Sequence, residues 1–231
     1  PDIGVERKPI CYARNAKPSN ENIKGSFNVK MSGGKYIAFG CLHVFASEDD
    51  FNKFRTEATP VMRDLKVLFS INGVQREGRI NPQSILFGNQ RGDLYGADYC
   101  ECDIDEDIFN EYIALVKPYE LENLKDQEMR LFGATSKFLS LNEPLSGPMP
   151  CDVDYGNGLI KSIQLIKIDP QSPSENVNPG DSGASVYYMS DDSTTLCLGM
   201  IVAKSDNHAY MFKLTKFSTI TDSCQPIKKR I

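Results

Sequence analysis

No stretch of this 231-residue chain approaches the ~18 consecutive apolar residues of a membrane helix, so a helical span is excluded. Clustered positive charge is equally scarce. Lys228-Lys229-Arg230 is the only run of three basic residues, and 26 Lys+Arg stand against 31 Asp+Glu for a net charge of −5. Phosphate binding needs a grouped cationic face, which argues against nucleic acid as the main partner. The opening residues, Pro1 to Lys8, lack the apolar stretch of a secretion signal. The 7 cysteines (Cys11, Cys41, Cys100, Cys102, Cys151, Cys197 and Cys224) are odd in number and cannot all pair within the chain. Most sit in apolar runs, where a thiol behaves as a small hydrophobe. The expectation is reduced thiols and an intracellular setting. Long helical periodicity is nearly missing, which sets aside folds built on alternating strands and helices.

What is present is a succession of short β-patterned runs. They include Ser26–Met31, Lys35–Phe39, Leu65–Ile71, Tyr112–Val116, Met129–Phe132, Leu159–Ile166, Ala184–Tyr188 and Leu196–Val202. Turn signals separate them, among them Ser32-Gly33-Gly34, Asn72-Gly73, Gly156-Asn157-Gly158 and Ser190 to Ser193. Many short strands at such spacing indicate a sandwich or barrel. The chain is long enough to bury a core without a metal or disulfide staple, as one large domain or two small ones. Ser47 to Arg55 reads as a short capped helix with acids in its first turn, and Asp105 to Leu115 as a weaker one. The polar stretch Lys117 to Glu128 joins two halves of about six strands each.

The sharpest local feature is Asn178-Pro179-Gly180-Asp181-Ser182-Gly183-Ala184. Glycine permits backbone conformations that a Cβ forbids. Such a turn can aim successive N–H groups at one point, as stabilising an oxyanion requires, and lift the Ser182 hydroxyl out of the strand. A tight Gly-Asp hairpin with a bystander serine is the plainer alternative. A serine hydroxyl needs a base to become nucleophilic. The chain has 2 histidines, so the base is His43 or His208. His43 lies where the apolar run Phe39 to Phe45 enters the Ser47 helix; without a partner it would be an ordinary core histidine. A carboxylate must then hold the imidazole. Asp98, opening the run Ala97 to Cys102, is the best placed, with Asp93 and Asp103 as rivals.

His43, Asp98 and Ser182 within Gly180-Asp181-Ser182-Gly183, in that chain order, resemble the chymotrypsin/trypsin-like serine proteases. The resemblance implies an all-β fold of two six-stranded antiparallel β-barrels with the catalytic cleft between them. Residues 1–117 would carry His43 and Asp98, and residues 118–231 would carry Ser182 and the specificity pocket. It implies a serine endopeptidase working through an acyl-enzyme on a protein or peptide substrate, with no cofactor and no metal. The backbone N–H groups of Gly180 and Ser182 would form the oxyanion hole. Asn176 would sit at the base of the S1 pocket, with Ala203, Lys204 and Ser205 on one wall and His208 on another. Asn176 offers no carboxylate for an Arg or Lys side chain unless Glu175 swings in. Lys204 and His208 suit an acidic or amide one, with ordinary surface polarity as the plainer alternative, and the bulky Tyr210 and Met211 equally suit a narrowed apolar pocket.

Departures narrow the resemblance. No Cys follows His43, and Asn178 stands where secreted members have a disulfide Cys. The secreted disulfides and zymogen switch are therefore not implied, and the chain looks more like the intracellular, bacterial or viral members. It is equally compatible with a complete protein and with a piece of a larger chain or polyprotein.

Three other readings compete. An α/β-hydrolase elbow needs Gly-x-Ser-x-Gly, and Ala184 replaces the last Gly. Its chain order would be Ser182, Asp206, His208. Cys41-x-His43 with Cys100-x-Cys102 supplies four ligands suited to Zn²⁺. Finally, a trypsin-like β-module with a blocked or misformed site would be a catalytically inactive protein-binding platform.

Overall fold

The computed structural model describes residues 2–4, 25–88, 96–123, 129–144, 147–156, 158–178, 180–189, 194–205, 208–214 and 227–228. In chain order the strands of the first half are β1 (Asp2–Gly4), β2 (Asn28–Ser32), β3 (Lys35–Gly40), β4 (Lys66–Ile71), β5 (Val74–Gly88) and β6 (Ala97–Asp103). Between β3 and β4 lie α1 (Leu42–Phe45) and α2 (Glu48–Asn52), and α3 (Glu106–Asn123) follows β6. The second half holds β7 (Met129–Gly133), β8 (Lys137–Leu141), β9 (Met149–Asp154), β10 (Ile160–Ile168), β11 (Ser185–Met189), β12 (Thr194–Lys204), β13 (Ala209–Lys213) and β14 (Ile227–Lys228).

The strands form two sheets. One has five strands in the order β2-β3-β6-β5-β4. The other has nine, in the order β1-β9-β10-β13-β12-β11-β7-β8, with β14 beside β12. Pairing is antiparallel except for β1 on β9. The pair of six-stranded barrels expected from the sequence is thereby corrected to open sheets of five and nine strands among the described residues. Part of the reason is β5. It is 15 residues long and pairs with β4 over its first half. It follows β6 along both halves through a register shift between Asn81 and Leu86. The chain thus uses one bent strand where a barrel count would use two.

Local signals explain much of the rest. Asn72 and Gly73, with φ of 51° and 81°, make the two-residue turn between β4 and β5. Asp50 N–H donates to Ser47 Oγ, which caps α2. In α3, Asp105 Oδ1 accepts from Ile108 N at 2.8 Å, and Ile108 and Tyr112, one turn apart, are both buried. The helix runs past Leu115 and takes up the beginning of the expected polar linker, so the 117/118 division falls inside it.

The sheets share a core. One apolar cluster runs from Phe39, Phe54, Phe69 and Phe87 of the first half to Val153, Tyr155, Ile163, Val202 and Phe212 of the second. Backbone bonds cross directly, from Ser26 N to Ser182 O at 2.8 Å and from Gln164 N to Gly96 O at 3.4 Å. Among the described residues no helix is long and apolar enough to cross a membrane.

Candidate active site

His43 lies in α1, a single turn that follows β3 directly. All four residues of that turn are buried, and His43 is 5 % exposed. Its ring packs 5.4 Å from Tyr155 and 6.5 Å from Phe51, centroid to centroid. Asp98 stands on β6 opposite Phe87 of β5 and is 0 % exposed. Side chains alternate along a strand, so Asp98 shares its inner face with Cys100 and Cys102.

The two side chains meet. His43 Nδ1 lies 2.5 Å from Asp98 Oδ2, and His43 N–H donates to Asp98 Oδ1 at 3.3 Å. The Tyr155 hydroxyl donates to Oδ2 at 2.9 Å. The Tyr155 and backbone partners are donors, so the carboxylate acts here as an acceptor. That makes Nδ1 the donating ring nitrogen and Nε2 the one turned away from Asp98. Burial pushes the Tyr155 phenol well up, and the Asp98 charge pushes it further, so it stays a protonated donor.

The loop carrying Ser182 is built on the second sheet and gripped by both. Gly180 and Gly183 have φ of 102° and 85°. A Cβ on Gly183 would meet Ser26 O at 2.2 Å and Cys41 N at 3.7 Å, so only glycine lets the loop lie this close to the entry of α1. Ser26 Oγ donates to Gly180 O at 2.9 Å, Ser26 N to Ser182 O at 2.8 Å, and Asn28 Nδ2 to Gly183 O at 3.0 Å. Asp181, 0 % exposed, receives four donors: Thr135 N, Ser136 N, the Ser136 hydroxyl and Asn178 N. Its own carbonyl accepts from Ala184 N at 2.8 Å. Across a trans peptide the N–H points opposite to the C=O, so Ser182 N–H is directed away from Ala184. Among the described residues neither Gly180 N–H nor Ser182 N–H has an acceptor.

Ser182 is half-buried, and among the described residues no hydrogen bond joins it to His43. The structure therefore brings His43 and Asp98 into contact and sets the Ser182 loop against Cys41, two residues before His43. Of the rival carboxylates, Asp103 is exposed at the end of β6. Asp93 and Asp206 lie outside the described residues, as do Cys11 and Cys224.

The residues expected around a specificity pocket are only partly gathered. Lys204 Nζ reaches Val177 O at 3.4 Å, and Asn178 Nδ2 reaches Asn176 O at 3.2 Å, so Lys204 and Asn176 belong to one neighbourhood. Ala203 is buried in β12, opposite Tyr210. Ser205 and His208 exchange backbone bonds at 2.9 and 3.4 Å. The His208 ring turns to Asp169, with Nδ1 2.6 Å from its Oδ1.

The four-ligand zinc arrangement does not assemble. Among the described residues, one set of three potential ligand atoms lies within 4.8 Å of one another: Cys41, His43 and Asp98. Cys100 and Cys102 do not join it. Cys41 donates from Sγ to Ile201 O at 3.4 Å. Burial pushes its thiol well up, and Asp98 adds to this while the Gly183 N–H opposes it.

Tyr155, Ser26, Asn28 and the Thr135-Ser136 turn were not among the candidates read from the sequence. Each lies 45 or more residues from the group it holds. No family model matches the chain. Its structure is similar to the active form of the Rv3671c protease from M. tuberculosis, at 10 % identity and a TM-score of 0.41, over 84 % of this chain and 71 % of that one.

Proposed function

We propose that the chain is a trypsin-like serine endopeptidase acting on a protein or peptide substrate through an acyl-enzyme. Residues 1–117 supply the base and its carboxylate, and residues 118–231 supply the nucleophile. The observation that carries the reading is a buried imidazole held at Nδ1 by a buried carboxylate, beside a glycine-flanked serine loop with two N–H groups that have no acceptor among the described residues. In this mechanism His43 Nε2 takes the Ser182 proton as Oγ attacks the scissile carbonyl. Asp98 holds the imidazole and stabilises the imidazolium that forms, while Tyr155 holds Asp98. The Gly180 and Ser182 N–H groups receive the oxyanion. His43 then protonates the leaving amine, and water releases the acyl group by the same path. In this reading Asn176, Ala203, Lys204, Ser205 and His208 are the S1 residues, and the neighbouring Lys204 ammonium and Asn176 amide favour an acidic or amide P1 side chain. The buried thiols of Cys41, Cys100, Cys102 and Cys151 fit a reducing, intracellular compartment.

The inactive-module reading rests on the missing bond between His43 and Ser182. Such bonds are often long in free enzymes and tighten when substrate binds. Cleavage of a peptide library decides between the two readings and maps the pocket. Activity abolished by Ser182→Ala, with an acidic or amide residue before the cut, is the expected result. A folded wild type that cuts nothing favours the module.

A further inference from the structure

A cavity of about 640 Å³ opens between the two halves of the molecule, away from His43. Its lining is more apolar than polar, with rings on one side and the neutral polar side chains of Ser26, Ser70 and Asn72 among it. Phe27 packs 4.8 Å from Phe69 and 5.3 Å from Tyr112, and Phe132 packs 5.0 Å from Phe138. Ile71 and Leu115 complete the apolar lining. Among the described residues lining it there is no Asp, Glu, Lys, Arg or His, so a charged ligand would find no counterion there. The volume falls within the range of small-molecule sites, whose lining is mostly apolar and aromatic with a few polar groups.

One wall consists of Ser26, Gly133 and Ala134. These residues also hold the Ser182 loop. Ser26 Oγ accepts from Ala134 N at 2.8 Å while donating to Gly180 O at 2.9 Å. The Gly133 backbone lies against the Asp181 carboxylate so closely that a Cβ there would come within 2.4 Å of Oδ1. Phe27 and Phe132, which form the aromatic lining, are the chain neighbours of Ser26 and Gly133. A ligand that fixes those rings also fixes the residues gripping the loop.

We propose that this cavity binds a neutral, aromatic small molecule and that its occupancy is coupled through Ser26 to the order of the Gly180–Ser185 segment. Binding and coupling are both independent of whether Ser182 performs catalysis.

The test uses N-phenyl-1-naphthylamine, a neutral aromatic fluorophore. Titration of the full chain is expected to show saturable one-site binding with a blue shift. Leu115→Trp, which fills the cavity, is expected to weaken binding at least tenfold while the protein still melts cooperatively. If that variant does not fold, Ser70→Phe, filling the same cavity from β4, is read in its place. Absence of saturable binding, or unchanged affinity in a folded, filled variant, overturns the site. For the coupling, hydrogen exchange in the peptide covering Gly180 to Ser185 is expected to slow at least threefold at saturating probe, and to be insensitive to probe in Ser26→Ala, which still binds it. Exchange unaffected by probe in the wild type overturns the coupling.

Discussion

Asp98→Asn removes one charge from a site that water does not reach, and its effect can be worked from the geometry. The carboxylate is 0 % exposed; its Oδ2 takes the Tyr155 hydroxyl at 2.9 Å and lies 2.5 Å from His43 Nδ1, and its Oδ1 takes the His43 N–H at 3.3 Å. Asparagine keeps the shape but presents an amide whose NH₂ donates. With its carbonyl oxygen kept on the His43 N–H, the amide presents its NH₂ at the Oδ2 position, towards Nδ1, and the ring proton moves to Nε2. In the proposed mechanism the imidazole then presents a hydrogen where the Ser182 proton needs a lone pair. If the proposed triad operates, the wrong tautomer lowers turnover about 10⁴-fold, which corresponds to about 5 kcal/mol of barrier. Stability changes far less, because a buried charge is lost together with its charge-assisted bonds. The assay is the second-order rate of fluorophosphonate labelling, paired with a urea unfolding curve. A labelling rate within tenfold of wild type, in a folded variant, refutes the assignment of Asp98.

Three further outcomes follow from other contacts. Gly133→Ala puts a Cβ 2.4 Å from Asp181 Oδ1, so the carboxylate must leave its donors; a loss of about 2–4 kcal/mol by urea unfolding is expected, and a change under 0.5 kcal/mol counts against the packing. The Asp50 carboxyl titrates lower than usual. Burial works against this, but the Lys53 ammonium and the Asp64 and Arg63 N–H groups outweigh it. Its stabilisation is therefore complete above the unfolded value of about 3.9 and lost as pH falls through the lower folded value. The stability gap between wild type and Asp50→Asn should shrink below about pH 4, and a gap constant from pH 6 to pH 2 contradicts this. Cys41, 0 % exposed with its thiol pushed up first by burial and then by Asp98, should resist iodoacetamide at pH 8 in the native protein and react once unfolded. Native modification traced by peptide mass refutes that burial.

The sequence exposes those parts of the site whose chemistry demands particular residue types. With two histidines the proposed base has few candidates, and Asp98, which meets His43, is legible as a carboxylate opening an apolar strand. The glycines around Asp181-Ser182 marked a turn of unusual backbone. Tyr155 carried no such mark. It reaches Asp98 across 57 positions only because β9 and β10 lay it against β5 and β6, and a single tyrosine near Gly156 looks like any other turn residue. Ser26 is similar, since its role comes from where β2 begins relative to a loop 154 residues away. Sheet closure is hidden from the sequence for a related reason. Hydrophobic alternation reports which face is buried, but strand pairing and strand length decide whether edges meet. The continuous β5 and the helix over Glu106–Asn123 are consequences of packing that alternation does not encode.

The most direct test of the central claim is intact-mass spectrometry after incubation with a fluorophosphonate. One adduct per chain, mapped to the Ser182 peptide and absent in Ser182→Ala and in heat-unfolded protein, is the predicted result. A folded wild type that stays unlabelled, or an adduct that persists in Ser182→Ala, contradicts the account.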